Sequence, residues 1–525
     1  MPRTPLFQEV RRTLRFAAYL EATHTPTAEG IERVLEERFR WTRRRFLQTA
    51  AVAAAGLVVG APRFARAASC PTCNDVIIVG AGVSGLTCAY RLQQNGVQAR
   101  VIEAATRVGG RMYSLRNHFP DGQLTELGGE FFDTDHRAIL GLAGELGVPI
   151  LDLAWTNGTQ GNAYWFDGKL IPTDTHLIDA FRPVAARILE QIGDCGDSCG
   201  VDWQNHPPEG VALDKKSISQ WLQENQIGSP IADVLKVAYT GEYGLDPEEQ
   251  SALNLVCLIG TEPGAFNLLG ESDERFHAVD GNDVIPQRLA QRLEREVELG
   301  TQLMRLGRSS DGRYELTVQR GASTDVLKAD TVVVSLPFTV LRNVELAPEI
   351  RKELPPAQQQ AIQELGYGTN SKLICGFDRR VWTEKGFSGA TFTDLGYQSC
   401  WETSRGQAGT HGLLTNFLGG KAGVELAEGS EDDHAKKFVG QVDKLFPGAA
   451  KAFTGEAVRF TWPTYKYTLG SYTCYKPGQY QAFAGAEGLS SGALHFCGEH
   501  TSARFSGFMN GAVESGERVA RELLD

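Results

Sequence analysis

The first chemistry legible in the chain lies in Gly80-Ala81-Gly82-Val83-Ser84-Gly85, which directly follows the apolar run Asp75–Val79. A continuous apolar run of that length reads as a buried parallel strand. Leu86–Gln94 then reads as a helix ended by Asn95-Gly96, and Ala99–Ile102 as a second strand with Glu103 at its end. This is G-x-G-x-x-G inside a strand–helix–strand unit, and each residue has a task. Gly80 allows the tight turn, Gly82 lets the backbone approach a pyrophosphate, and Gly85 lets helix and strand pack closely. Val83 and Ser84 open the helix, whose N-terminus favours phosphate charge. Glu103 can accept hydrogen bonds from a ribose diol, which disfavours a 2′-phosphate. A dinucleotide site is expected here.

The elements around that site must come from elsewhere in the chain. Glu103-Ala104-Ala105-Thr106-Arg107-Val108-Gly109-Gly110-Arg111 extends the unit, and a second glycine pair stands in Glu126-Leu127-Gly128-Gly129-Glu130. At the far end come Phe496-Cys497-Gly498-Glu499-His500-Thr501 and Ser506-Gly507-Phe508-Met509-Asn510-Gly511. Together these blocks closely resemble the flavin-containing amine oxidase family, which includes monoamine oxidases, polyamine oxidases and L-amino acid oxidases. The resemblance spans roughly residues 74–525.

The resemblance implies an α/β fold: a Rossmann-type FAD-binding domain, discontinuous in sequence, with an α+β substrate-binding domain. Residues 70–150, 272–345 and 462–525 are expected in the first, and 151–271 and 346–461 in the second. Leu303-Met304 and Thr331–Pro337 read as strands returning to the cofactor domain. The resemblance also assigns roles. Gly110, Gly128, Gly129, Glu130, Leu303, Trp462 and Gly498 join the cofactor site. Arg111 would meet the flavin phosphates or ring edge, and Glu499 the ribityl or phosphate region. Met509 would begin a helix whose N-terminus faces the flavin N1 edge, where reduced flavin is negative. Lys372, in the strand Asn370–Phe377, matches the lysine that holds a water against flavin N5; methionine in its place is expected to disturb packing little. Tyr472 and Phe508 match the ring pair that flanks the substrate amine, Phe508 counting in the cofactor site as well.

Departures from the family sharpen the expectation. Covalent members attach flavin to a cysteine at the position of Ser471, and Cys474 is out of register, so FAD is expected to be non-covalent. Some L-amino acid oxidases grip the substrate carboxylate with an arginine at the position of Phe131. Asp133 either meets a distal ammonium or caps a helix running from Thr134. The reaction expected is oxidation of an amine or amino acid by hydride transfer to flavin. It would give an imine, then a carbonyl product and ammonia, with oxygen reduced to peroxide. A flavin desaturase or porphyrinogen oxidase, or a non-catalytic flavoprotein, are the rival readings.

Charge and length bound the rest. The chain has 525 residues, 42% hydrophobic and 22% charged, with 58 Gly against 22 Pro, an ordinary globular composition. Residues 1–67 carry twelve Arg, no Lys and six Glu, a net of +6, whereas the whole chain is −12, so the body is strongly acidic. That argues against nucleic acid, which requires a basic face. Arg43-Arg44-Arg45-Phe46-Leu47, an alanine-rich apolar stretch from Thr49 to Ala61, and Ala65-Arg66-Ala67 read in order as an export signal. Its apolar core is short of the ~20 residues that span a bilayer. The arginine pair resembles a twin-arginine signal, implying the twin-arginine machinery as a partner and a periplasmic or extracellular location. Ala67-Ala68-Ser69-Cys70 loosely resembles a lipoprotein box. Phe7–Leu20 and Ala28–Phe39 read as helices of no evident purpose. Cys70/Cys73 and Cys195/Cys199 are close pairs open to disulfide formation after export. No metal-ligand spacing occurs, and the sequence leaves homo-oligomer formation open.

Overall fold

The computed structural model describes residues 75–155, 161–171, 175–195, 200–256 and 274–525. The signal, the helices expected before it, and Cys70, Cys73 and Cys199 lie outside the described residues. Of Cys195 only its place at the end of the helix Thr175–Cys195 is described. Among the described residues no helix is long and apolar enough to cross a membrane.

The elements that position the site are, in chain order, β1 (Val76–Val79), α1 (Val83–Gln94), β2 (Arg100–Ile102), β3 (Thr331–Val334), β4 (Ser371–Phe377), β5 (Leu494–Phe496) and α2 (Met509–Leu524). Four of them form one sheet in the order β5-β3-β1-β2. Every pairing is parallel, with Val76 opposite Thr331, Ile77 opposite Arg100 and Val332 opposite Leu494. The central strands are almost wholly apolar because helices cover one face and a second sheet the other. Ile77 and Ile78 are fully buried; burial of such a side chain contributes about 1.5–3 kcal/mol. On one face Ile78 joins α1 and α2 side chains such as Leu86 and Val513. On the other, Ile77 and Val79 meet a four-stranded sheet built from Thr301–Arg308, Tyr314–Arg320, Ser323–Ala329 and Glu345–Leu346.

That second sheet separates two strands that look alike in the sequence. Thr331–Val334, as β3, enters the parallel sheet, but Leu303-Met304 belongs to the neighbouring sheet, in the strand Thr301–Arg308. The alternation of buried and exposed residues at the start of that strand is that of a sheet with one face toward water.

A seven-stranded sheet forms the rest of the body. Its order is Phe453–Thr461, β4, Gly412–Leu418, Ser399–Glu402, Phe387–Thr393, Gly161–Phe166, Lys169–Ile171. β4 is internal and antiparallel to both neighbours, with Lys372 opposite Phe417 on one side and Phe460 on the other. Helices including Ile218–Glu224 and Ile231–Tyr243 pack on this sheet around the buried rings of Trp221 and Tyr239.

Candidate active site

The β1–α1 turn is built as the glycine spacing demands. Gly80 has φ +106°, a conformation closed to most side chains. A Cβ on Gly85 would lie 2.2 Å from the Gly80 carbonyl oxygen and 2.8 Å from Ser335 Oγ, so this glycine is fixed by packing. Gly82 differs: a Cβ there would meet nothing within 4 Å. No protein atom requires that glycine, which leaves space for a ligand against the backbone. Gly82 is also the N-cap of α1 and offers no side-chain oxygen to the first helical amides. An uncapped helix start behind an open glycine is a fitting seat for phosphate.

Glu103 is held in place from both sides. Its Oε2 accepts from Ala81 N at 2.7 Å and its Oε1 from Ala105 N at 2.8 Å. Burial pushes its carboxyl above the ordinary range even though these amides pull it down. Each oxygen keeps a lone pair for a diol.

These residues open onto a cavity of about 2030 Å³, counting its solvent-open mouth. Its walls run from the β1–α1 turn to the Tyr472 and Phe508 rings, so one cavity joins the glycine turn to the ring pair. Gly80, Gly82, Val83, Ser84, Glu103, Gly110, Arg111, Gly128, Gly129, Glu130, Leu303, Lys372, Trp462, Tyr472, Gly498, Glu499, Phe508 and Met509 all line it. Gly85 stands behind the wall, in its packing role. Ser335, Asn343, Trp401 and Glu274 line it as well, and nothing in the sequence singles them out.

Arg111 and Glu499 tie the two ends of the chain together. Arg111 donates to Glu499 Oε1 and to the Ser471 carbonyl, each at 2.8 Å. Glu499 Oε2 accepts from Thr473 Oγ1 at 2.9 Å and Gly507 N at 2.6 Å. The pair thus sets the path of the segments that carry Tyr472 and Phe508. Phe508 is the N-cap of α2, whose first turn has neither a side-chain cap nor an acidic residue. That end of the helix keeps its positive pole for whatever occupies the cavity. A Cβ on Gly129 would lie 2.8 Å from Met509 Sδ, so the second glycine pair lets the helix start approach. Tyr472 donates from its hydroxyl to the Gly241 carbonyl at 3.2 Å, and the Phe508 ring stands edge-on to His136 at 5.1 Å. Ser471 Oγ donates to Asn370 Oδ1 at 2.7 Å.

Lys372 is buried in the cavity wall. It is 4% exposed on an internal strand, so it is no edge lysine. Its Nζ donates to the Glu126 carbonyl at 2.8 Å, the Gly128 carbonyl at 3.0 Å and Glu130 Oε2 at 2.8 Å. An ammonium has three N–H donors, and each has a protein acceptor here. Glu130, which also lines the cavity, is the buried counter-charge of this lysine. Its Oε1 accepts from Trp401 Nε1 at 3.0 Å and Thr403 Oγ1 at 2.5 Å. Burial alone would raise the Glu130 carboxyl, but Lys372 and these donors hold it below the ordinary range.

Asp133 is not a helix cap. The helix begins at Arg137 with His136 at its N-cap, and Asp133 Oδ1 accepts from Glu274 N at 2.7 Å. Asp133, Asp135 and His136 bring ligand-type atoms within 4.8 Å of one another, a grouping invisible in the spacing. His136 Nδ1 already accepts from Asp133 N at 3.0 Å, and burial holds the imidazole at about 3 and therefore neutral.

Comparisons with known proteins agree with this architecture. The chain is 26% identical over 468 residues to an L-amino acid dehydrogenase of Synechocystis sp., covering 86% of this chain and 94% of the relative. It is 24% identical to flavin-containing amine oxidase A of Bos taurus, covering 86% and 85%. Among solved structures it resembles cyclohexylamine oxidase from Brevibacterium oxydans, with TM-score 0.73 at 24% identity, and putrescine oxidase, with TM-score 0.72 at 22% identity; each match covers 86% of this chain and 98% of the other. The sequence profile of flavin-containing amine oxidoreductases matches residues 83–524, and the chain belongs to that family of flavin-dependent enzymes acting on amines.

Proposed function

We propose that this protein binds FAD non-covalently and oxidises a small amine at its C–N bond. The products are an imine that hydrolyses to a carbonyl compound and ammonia, and hydrogen peroxide formed from oxygen. The observation that carries the reading is the continuity of one cavity from the open Gly82 and the fixed Glu103 to the Tyr472 and Phe508 rings beside an uncapped helix start. Bound flavin supplies the hydride acceptor. The chain's residues do the rest. Gly82 and the α1 amides seat the pyrophosphate, and Glu103 takes a ribose diol. The α2 N-terminus stabilises negative charge at its end of the cavity. Tyr472, held by Gly241, and Phe508, held by His136, present rings that orient an amine. Ser471 has no thiol and spends its hydroxyl on Asn370, which supports non-covalent attachment.

An amino-acid substrate is the second reading, favoured by the name of the Synechocystis relative. Residues 42–67, by our reading, direct the protein through twin-arginine export. Purified protein tested for peroxide release against amines beside L-amino acids decides the substrate class. We expect yellow protein whose FAD is released by acid, and peroxide with at least one amine. Colour retained in the acid precipitate, or no peroxide and no dye reduction with either panel, overturns the reading.

A further inference from the structure

Glu274 is out of keeping with its surroundings. It is 5% exposed and lines the cavity, and among the described residues neither of its carboxylate oxygens has a hydrogen-bond partner. Leaving such a group orphaned is costly. Its backbone is strained as well, with φ +40° at a residue that is not glycine. Its position is fixed from its own amide, which donates to Asp133 Oδ1; Asp133 contacts His136, and His136 carries the Phe508 ring. The carboxylate therefore belongs to the substrate end of the cavity. The charged groups acting on it are Asp133, Glu242, Arg405 and Glu130, three acids and one base, and Glu130 is already matched by Lys372. Burial, then Asp133 and Glu242, push the Glu274 carboxyl well above its ordinary range, with Arg405 opposing.

We propose that Glu274 marks a cation subsite, where the substrate's second cationic group, an ammonium or guanidinium, is bound while its reacting amine faces the rings. Such a group brings what the site lacks. It supplies N–H donors for two oxygens and positive charge for an acidic surrounding. A methyl terminus would leave both oxygens orphaned, and a carboxylate would add to the excess of negative charge. The proposal rests on the amine-oxidising reading above and narrows it to diamines, guanidino-amines and basic amino acids.

The test compares ligands of one carbon length on the holoenzyme. Wild-type protein is expected to prefer putrescine or agmatine over butylamine in kcat/KM by about tenfold or more. Glu274→Gln, nearly isosteric, is expected to cut that preference by about ten- to a hundredfold. Calorimetric titration of putrescine into anaerobic holoenzyme reads the subsite apart from turnover. Loss of putrescine binding in the variant supports the subsite even if no amine is oxidised, in which case only the amine-oxidase reading falls. Oxidation of butylamine with no advantage for the dications overturns the subsite and leaves the reaction standing. A preference that survives Glu274→Gln, or a preference for gamma-aminobutyrate, also overturns it. Should the variant fail to fold, the wild-type order of putrescine, agmatine and butylamine decides.

Discussion

The two ends of the cavity are built on opposite plans. At the nucleotide end the walls are largely backbone: glycines, a helix start and strand ends, with Glu103 among the charged side chains there and both its oxygens held by amides. At the substrate end the walls are side chains, and charge is buried in quantity: Lys372 against Glu130, then Asp133 and Glu274. Backbone walls fit a ligand of fixed shape, since neither the pyrophosphate nor the ribose differs between enzymes that bind it. Walls of buried charge are expensive unless matched, and Glu274, without a hydrogen-bond partner among the described residues, is where our proposal leaves matching to the ligand. By this reading the first end selects a cofactor by fit, and the second, on the proposal above, a substrate by charge.

The sharpest break is between two neighbouring glycines. Gly85→Val should give no folded protein, because its Cβ would lie 2.2 Å from a carbonyl oxygen. Gly82→Val should fold yet lose flavin, because its Cβ enters space that no protein atom fills. Expression yield, circular dichroism and flavin absorbance separate the two; a yellow Gly82→Val protein would mean the pyrophosphate lies elsewhere. At the other end, Lys372→Met should cost about 3–5 kcal/mol, because it leaves the Glu130 charge buried without its partner. Adding Glu130→Gln should recover most of that loss in a denaturant titration. No recovery would show that the two carbonyl bonds, not the ion pair, carry the stability. This cost replaces the expectation that methionine is tolerated for its shape.

The smallest effect lies at the seam. Burial raises the Glu126 carboxyl to about 7, with Asn282 N and Ser114 Oγ pulling it down and Asp283 and Glu130 adding to the rise. Such a group binds its proton more tightly folded than unfolded. Its contribution is complete below about 4.5 and is lost as pH rises through about 7, by about 3 kcal/mol at most. Wild type should therefore lose stability relative to Glu126→Gln over that window. A difference that is flat with pH would place the Glu126 carboxyl in water.

The nucleotide end is legible because its meaning sits in consecutive residues, Asp75 to Arg111, where turn, helix start and strand end follow from local rules. The substrate end is legible only in pieces. Lys372 can be read as buried, but not as bound to Glu126, Gly128 and Glu130 far away in the chain. Asp133 reads as a cap because the capping rule is local, whereas the amide it holds is 141 residues away. Glu274 gives no signal at all: an isolated acid has no periodicity, and its lack of a partner among the described residues exists only once the fold has removed water from it. Leu303 reads like the residues of β3 yet joins the neighbouring sheet, because a strand pattern does not name its partners.

The order β5-β3-β1-β2 has a consequence for how the molecule is made. β3 pairs with β5, which is synthesised after the whole of the seven-stranded sheet. Until Leu494–Phe496 has emerged, β3 has a bare edge, and a bare apolar edge invites pairing with another chain. The same late stretch brings Glu499 to Arg111 and sets α2 against α1, where a Cβ on Gly516 would lie 2.3 Å from the Ser84 carbonyl. The phosphate seat is thus translated early but is braced only from the end of the chain. Removal of the C-terminal segment is therefore expected to leave a phosphate seat that holds flavin poorly, which flavin absorbance of a truncated protein would read.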